Sequence, residues 1–408
     1  MRRRDMLLAA AGGLAGCASS TETRTMSRGL WRDDAGGFAI GAFPEYGPGL
    51  FAFDYAALRV GPLSAGEDWR WRMSSTLDGA GAPLVEVIAD GPALRIGGRR
   101  LAPVHIQRTP FSARSEAVLS AEIAVPAGRR ARATVLMIYG SGPAPKEAFD
   151  PWGFWFLSRG FAVVTYDKRG SGASGGDWRT VGLEQLAGDA RAVLDGARLL
   201  SAPEPVMAWG ASQAGWIMPQ LGAAGAIDGI VMHAGSAQRP GEQILAAVEA
   251  ELRAYGFAED QIARARAYYA LDTDVSRGVR PWSAIDAAYR ESTAAGAEWI
   301  LAPPAAPDAP ERTMIRLMAD FDPAPYWSAN RAPILALFGG KDWIVPAALN
   351  LTALESMAPR DRLTTRVLAD ANHLMFLAES GVRAEYASRS QVHPEYFAAI
   401  ASWLDARA

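Results

Sequence analysis

The sequence is poor in cysteine, because Cys17 is the only one in 408 residues. A single thiol cannot form an intramolecular disulfide, so the fold has to be stable without covalent cross-links. Positive charge is not in excess either, since 44 acidic residues face 41 lysines and arginines, and no basic face is indicated. These two absences exclude a disulfide scaffold and argue against nucleic acid as a partner.

The apolar run at the N terminus is too short to cross a bilayer as a stable helix. It lies in the stretch "MRRRDMLLAAAGGLAGC", whose positive start and small-residue end are typical of a secretory signal. Within it, "RRDML" resembles a twin-arginine export signal and "LAGC" resembles a bacterial lipobox. We predict a signal peptide over residues 1–16 and lipidation, including palmitate, of Cys17. An ordinary signal peptide, with Cys17 a buried thiol, is the alternative.

This prediction places the protein in the bacterial cell envelope, held to a membrane by its lipid and exported by the twin-arginine route. Residues 17–29 are polar and small, which suits a tether between the lipid and the folded body. Residues 30–110 follow as a β-rich module, in which short apolar runs alternate with glycine and proline. This module contains no serine, histidine and acid that we can combine into a site, so we expect it to pack or to shape substrate binding.

From residue 111 to 408 the sequence alternates strand-like and helix-like segments, which predicts an α/β fold with a mostly parallel, doubly wound sheet. Six buried runs predict its parallel strands: "ATVLMIYG", "FAVVTYD", "PVMAWG", "DGIVMHAG", "PILALFGG" and "TTRVLAD". Between the fourth and fifth of them, residues 238–327 form too long a connection for a bare loop. We predict a helical lid there, with Trp282, Trp299 and Tyr268 among its aromatic residues.

The stretch "GASQAGW" follows the third of these runs and contains Ser212. It differs from the serine-hydrolase pattern G-x-S-x-G, because Ala214 stands where that pattern has glycine. A sharp turn from strand to helix exposes a side chain at the carboxyl end of a sheet and requires small neighbours, and alanine is the smallest residue with a Cβ. Ser212 is therefore a candidate nucleophile.

A serine hydroxyl needs a base that removes its proton, and an acid that orients the base. Asp342 follows the fifth strand in "LFGGKDWIVP", and His373 follows the sixth in "LADANHLMF". The chain order serine, aspartate, histidine is the order of α/β-hydrolases. Asp370 is the competing acid, and we favour Asp342 because it lies in the turn that directly follows a strand.

Residues 111–408 resemble an α/β-hydrolase of the prolyl-oligopeptidase-like and dienelactone-hydrolase-like branch. The stretches that carry the resemblance are "FSARSEAVLSAEIAVPAG", "VLMIYGSGP", "GFAVVTYDKRGSGASGG", "GASQAGW", "GGKDWIVP" and "ANHLMF". It implies that Ser212 is the nucleophile, His373 the base and Asp342 its supporting acid. It also implies an oxyanion hole formed by the backbone N–H groups of Gln213 and Ser141. Relatives commonly have His-Gly where this chain has Tyr139-Gly140.

We expect a serine carboxylesterase that acts on a small or medium apolar ester and needs no metal or organic cofactor. A serine peptidase or aminopeptidase, or a thioesterase, on the same scaffold is the first alternative, and a lipid-anchored binding module without activity is the second.

Residues 170–175 also match the dinucleotide pattern G-x-G-x-x-G. We interpret them as a plain glycine turn, because three residues precede the first glycine and the next helix starts late.

Overall fold

The computed structural model describes residues 26–66, 70–128 and 130–407. The predicted signal peptide, Cys17 and most of the predicted tether lie outside the described residues. Within these ranges, no helix is long and apolar enough to cross a membrane. Lipid anchoring through Cys17 therefore stays a prediction.

The N-terminal module is an antiparallel sheet of eight strands that closes on itself through pairing of its first and last strands. Its strands are β1 (Gly29–Arg32), β2 (Gly37–Gly41), β3 (Phe51–Asp54), β4 (Arg59–Ala65), β5 (Arg70–Ser74), β6 (Pro83–Asp90), β7 (Ala93–Ile96) and β8 (Arg99–Pro103). Alternate side chains of a strand point to opposite faces. Trp31, Phe38 and Ile40 accordingly fill the interior of the module, while Leu30 and Ala39 pack outward against the rest of the protein.

A second sheet of eight strands has the order β16-β15-β14-β13-β11-β12-β10-β9. Its strands are β9 (Ile106–Arg114), β10 (Val118–Pro126), β11 (Thr134–Ile138), β12 (Ala162–Tyr166), β13 (Val206–Ala211), β14 (Gly229–His233), β15 (Ile334–Gly339) and β16 (Leu363–Leu368). The last six are parallel, as the six apolar runs predicted, and β10 joins them antiparallel to β12.

The boundary predicted at residue 110 falls inside β9, which pairs along its whole length with β10. The change from one sheet to the other thus comes before β9, and Pro110 does not mark it. A proline is tolerated in β9 because this is an edge strand, where one side of the backbone needs no sheet partner.

Helices cover both faces of the larger sheet. They are α1 (Asp150–Ser158), α2 (Leu183–Leu199), α3 (Ala214–Ala223), α4 (Pro240–Ala254), α5 (Glu259–Ser276), α6 (Trp282–Ala294), α7 (Pro310–Met318), α8 (Ala324–Ala329), α9 (Ala347–Met357) and α10 (Pro394–Asp405). Leu136 and Ile138 of β11 pack with α2 and α3, whereas Val135 and Met137 pack on the opposite face with α1 and α10. This alternation is the doubly wound arrangement that the sequence predicted.

The segment between β14 and β15 is helical, as predicted, and contains α4 to α8. The three aromatic residues named for this segment pack within the segment itself. Tyr268 and Trp299 are buried against each other, with ring centroids 5.8 Å apart, inside a small core that belongs to the segment itself. Trp282 donates its indole N–H to the carbonyl of Ala305. Helices that extend away from the sheet need a core of their own, and these rings supply it.

Asp150 joins the N-terminal module to the larger sheet. Its carboxylate is buried at the start of α1 and accepts hydrogen bonds from the backbone N–H of Ala42 and from the guanidinium of Arg28, at 2.8 and 2.9 Å. A side chain at Gly41 would collide with it, since a Cβ built there lies 2.7 Å from the Asp150 carboxylate. Close packing and charge pairing therefore act together at this junction.

Asp150→Ala should lower the free energy of unfolding by about 2–3 kcal/mol, because it leaves the Ala42 N–H and the half-buried Arg28 without their acceptor. Burial raises the pKa of Asp150 to about 6, although Arg28 opposes the shift. A raised pKa means that the fold disfavours the ionised carboxylate, so the loss should be larger at pH 5 than at pH 8, and urea unfolding should be measured at pH 5. Asp34→Ala, a change at an exposed aspartate, is the matched control and should stay within about 0.5 kcal/mol of wild type. Equal stabilities of the two variants would contradict the role given to Asp150.

Candidate active site

Ser212 lies in a left-handed turn between β13 and α3, with a φ of +55°. This backbone conformation is strained for a residue with a side chain and persists only where neighbouring groups impose it. Three backbone hydrogen bonds do so: the Ser212 N–H donates to the carbonyl of His233 at 3.1 Å, and the Ser212 carbonyl accepts from Gly215 at 2.9 Å and from Ser236 at 3.0 Å. The turn is thus tied to the end of the neighbouring strand.

Ala214 is fully buried in this turn, and its methyl group fits because Gly210 has no side chain. A Cβ built on Gly210 would lie 2.5 Å from the Cβ of Ala214. Gly215 is required as well, since a Cβ there would overlap the backbone of Ser236. Alanine is therefore tolerated at the position where the pattern has glycine. Gly210 and Gly215, on either side of it, allow β13 and α3 to approach closely.

Asp342 and His373 form a hydrogen-bonded pair beside this turn, with 2.7 Å between Oδ2 of the aspartate and Nδ1 of the histidine. The other carboxylate oxygen accepts from the N–H groups of Ile344 and Val345, both at 2.9 Å. The aspartate side chain is completely buried and that of the histidine is 12% exposed. Asp370, the competing acid, is exposed to solvent.

The charge of Asp342 decides the pKa of His373. Burial alone would lower this pKa, but the attraction and hydrogen bond of Asp342, helped by the charge of Glu45, outweigh burial and raise it above its ordinary value. Because Nδ1 donates its hydrogen to the carboxylate, Nε2 carries the free lone pair when the ring is neutral. His373 therefore presents a base on the side away from Asp342.

His233 holds the histidine loop in place. Its Nε2 lies 3.0 Å from the carbonyl of His373, which can only accept, so this nitrogen donates. Its Nδ1 then accepts from the hydroxyl of Tyr396 at 2.7 Å, and that hydroxyl accepts from the indole of Trp209. Burial, and then the charge of His373, lower the pKa of His233 to about 3. The His233 ring is consequently neutral, and its role is structural. The only indication of this role in the sequence is the position of His233 at the end of β14.

The two N–H groups predicted to form an oxyanion hole lie near Ser212. Gly140 packs directly against the serine, since a Cβ built on it would be 3.3 Å from the serine Cβ. Ser141 follows it, and Gln213 follows Ser212. Across the described ranges, neither the Ser141 N–H nor the Gln213 N–H has a hydrogen-bond acceptor. Both are thus available to a ligand.

The N-terminal module also reaches this site, which sequence analysis did not anticipate. Its single-turn 3₁₀ helix Pro44–Tyr46 carries Glu45, whose charge acts on His373. Partial desolvation raises the pKa of Glu45, and His373 opposes that rise. Tyr386 completes this side by accepting a hydrogen bond from the His373 N–H at 3.2 Å. No local pattern in residues 30–110 indicates this approach, because it depends on packing between the two sheets.

The glycine-rich stretch after β12 forms a compact turn around Asp167. The aspartate carboxylate accepts from the N–H groups of Lys146 and Ala173, at 2.7 and 2.9 Å. Gly172 has a φ of +52° and lies against this carboxylate. The next α-helix, α2, starts only at Leu183, too far along for its N terminus to hold a phosphate above the glycines.

Comparison with known proteins adds four likenesses. The model of the alpha/beta hydrolase family matches residues 140–385. Esterase EstD of Thermotoga maritima is 25% identical over 298 residues, which are 70% of this chain and 65% of EstD, so the chain spans less than two thirds of that relative. Among solved structures, a thermophilic esterase from Thermogutta terrifontis matches 74% of this chain and 98% of its own, with 18% identity and a TM-score of 0.43. The Pyrococcus furiosus esterase PF2001 matches 74% and 91%, with 16% identity and a TM-score of 0.46.

The pKa of His373 should depend on Asp342. With four histidines in the chain, its NMR signal can be assigned by its loss in His373→Ala. We expect a pKa above 6.5 in the wild type and one below 6.5 in Asp342→Asn, where burial is no longer opposed by the carboxylate. Asp370→Asn is the control and should leave the pKa unchanged. If Asp370→Asn moved it and Asp342→Asn did not, the pairing would be misassigned.

Proposed function

This chain belongs to the alpha/beta hydrolase family, and we propose that it is a serine hydrolase that cleaves carboxylic esters through an acyl-enzyme intermediate. The observation that carries the proposal is the Asp342–His373 pair, 2.7 Å apart, beside the strained turn of Ser212. The similarity to esterase EstD supports the choice of an ester as the scissile bond. Within the family, the motifs favour the prolyl-oligopeptidase-like and dienelactone-hydrolase-like branch.

In the proposed reaction the Ser212 hydroxyl attacks the ester carbonyl while Nε2 of His373 accepts its proton. Asp342 stabilises the resulting imidazolium, because its carboxylate already holds the Nδ1 hydrogen. The tetrahedral intermediate collapses when His373 returns the proton to the leaving alcohol. Water then repeats the cycle on the acyl-enzyme, with His373 again serving as base and then as acid.

Negative charge develops on the carbonyl oxygen in both steps, and the N–H groups of Gln213 and Ser141 are the proposed donors to it. Donors fixed before the reaction stabilise such a charge without the cost of reorganising water. The backbone of Gln213 is fixed at the start of α3, and Gly140 holds the Ser141 loop against the serine. No metal or organic cofactor is needed for this chemistry.

We assign substrate selection to two segments. The end of α7 reaches the site, since the Met318 sulfur lies 3.5 Å from the side-chain amide of Gln213, so residues 238–327 are proposed as a lid. The 3₁₀ helix with Glu45 and Tyr46 approaches His373 from the opposite module. Met318 beside Gln213 and Tyr386 beside His373 favour a small or medium apolar ester. Cys17, if lipidated, would hold the enzyme at a membrane of the cell envelope.

Hydrolysis of p-nitrophenyl esters of rising acyl length, beside aminoacyl p-nitroanilides, tests this function. We expect turnover of the short and medium esters and a loss of about 10⁴-fold or more in kcat in Ser212→Ala, which removes the nucleophile. Ser328→Ala, at an exposed serine of α8, is the matched control and should retain full activity. Turnover confined to the anilides would make the protein a peptidase. No turnover by the folded protein would favour a binding module.

A further inference from the structure

We propose that Lys168 is a positioning residue that holds both halves of the oxyanion hole through a single buried ammonium group. The inference rests on the proposed function and concerns a residue that sequence analysis treated only as a spacer between a strand and a glycine turn. Lys168 is the second residue after β12 and is 3% exposed. Its Nζ donates to the carbonyl of Gly140 at 2.7 Å and to the side-chain oxygen of Gln213 at 2.9 Å.

The first contact orients the Ser141 donor. The carbonyl of Gly140 and the N–H of Ser141 belong to one peptide group, and in a trans peptide these two bonds point in opposite directions. Because the carbonyl points at the ammonium of Lys168, the N–H points in the opposite direction, away from Lys168. Hydrogen bonding to a cation also polarises that peptide group and strengthens its N–H as a donor.

The second contact fixes the residue that carries the other donor. The Gln213 side chain is buried and bound at both ends, with its oxygen on Lys168 and its nitrogen 3.5 Å from the sulfur of Met318. One ammonium thus links the loop after β11 to the first residue after Ser212. It also connects the oxyanion hole, through Gln213, to the end of α7 in the proposed lid.

The ammonium has no compensating negative charge. Over the described residues no carboxylate forms an ion pair with it, and its remaining neighbour is the ring of Trp178, whose centroid is 4.9 Å from Nζ. Burial lowers the pKa of Lys168 to about 7, and no nearby charge opposes that shift. Burying an unpaired cation lowers the stability of the fold. The same cation stabilises an oxyanion that forms close to it.

Variants of Lys168 can therefore distinguish an effect on catalysis from an effect on the stability of the fold. Replacing the ammonium by an apolar side chain removes the cost of burying a charge but leaves the Gly140 carbonyl and the Gln213 side-chain oxygen without a donor, so the two effects on the stability of the fold oppose each other. Loss of the ammonium would, however, free the Gly140–Ser141 peptide and the Gln213 side chain. Binding of the ground-state ester changes little, because its carbonyl oxygen carries only partial charge, while stabilisation of the tetrahedral intermediate falls.

The test compares Lys168→Met and Lys168→Gln with the wild type. Activity is measured on the p-nitrophenyl ester that the wild type hydrolyses fastest. Affinity is measured for a trifluoromethyl ketone with the same acyl group, because its adduct with serine is a tetrahedral oxyanion. We expect kcat to fall by about 100-fold, the magnitude typical of a lost oxyanion contact, with KM within about threefold. Affinity for the ketone should fall in parallel with kcat/KM. The urea midpoint should stay close to that of the wild type, because relief from burying a charge offsets the two lost hydrogen bonds.

Lys146→Met is the matched control, because Lys146 pairs with Asp167 in the same turn and touches neither donor residue. It should keep kcat within about threefold of the wild type. An unchanged kcat in both Lys168 variants, or a loss of ketone affinity no larger than that of Lys146→Met, overturns the proposal. A wild type that hydrolyses no ester refutes the proposed function instead, so the two failures are distinguishable.

Discussion

The parallel order of β11 and β13 to β16 is the constraint on which the site depends. Parallel strands end at the same edge of a sheet, so the residues that follow them meet there whatever their separation along the chain. Ser212 follows β13, His233 ends β14, Asp342 follows β15 and His373 follows β16. Register then sets the distances: Ala211 pairs with His233, and the loops after β15 and β16 lie side by side.

Burial at this edge favours polar groups that have partners, and many of these partners form connected chains. Trp209, Tyr396 and His233 lead to the backbone of His373, while Ile344 and Val345 hold the carboxylate of Asp342. On the other side of Ser212, Lys168 joins Gly140 to Gln213. The serine turn therefore lies between one network that fixes the base and another that fixes the N–H donors.

Local sequence patterns predicted the larger sheet well, because six apolar runs with terminal glycine, aspartate or alanine leave little choice of structure. They also placed Ser212, Asp342 and His373 at strand ends, where the sheet brings them to one edge. What they could not predict depends on contacts distant in sequence. Pro110 was predicted as the boundary between the two modules, but it lies inside β9, an edge strand that tolerates proline. The buried contact of Tyr268 with Trp299 depends on how α5 packs against the loop after α6.

Lys168 and Glu45 illustrate the same limit within the site. Nothing in "DKRGSG" distinguishes a lysine that points inward from one in solvent, and its partners lie 28 and 45 residues away. Glu45 belongs to the other sheet and reaches His373 only because Asp150 and the outward face of β1 to β3 fix the two modules together. A buried lysine after a strand end deserves consideration in similar sequences as a neighbour of the oxyanion loop.

The central claim is that Ser212 is a nucleophile activated by His373. Labelling of the purified protein with a fluorophosphonate, followed by mass spectrometry of its peptides, tests this claim most directly. We expect one phosphonylated serine, Ser212, with labelling abolished in Ser212→Ala and strongly slowed in His373→Ala. Labelling of a different serine, or equally fast labelling of the folded His373→Ala variant, would contradict it.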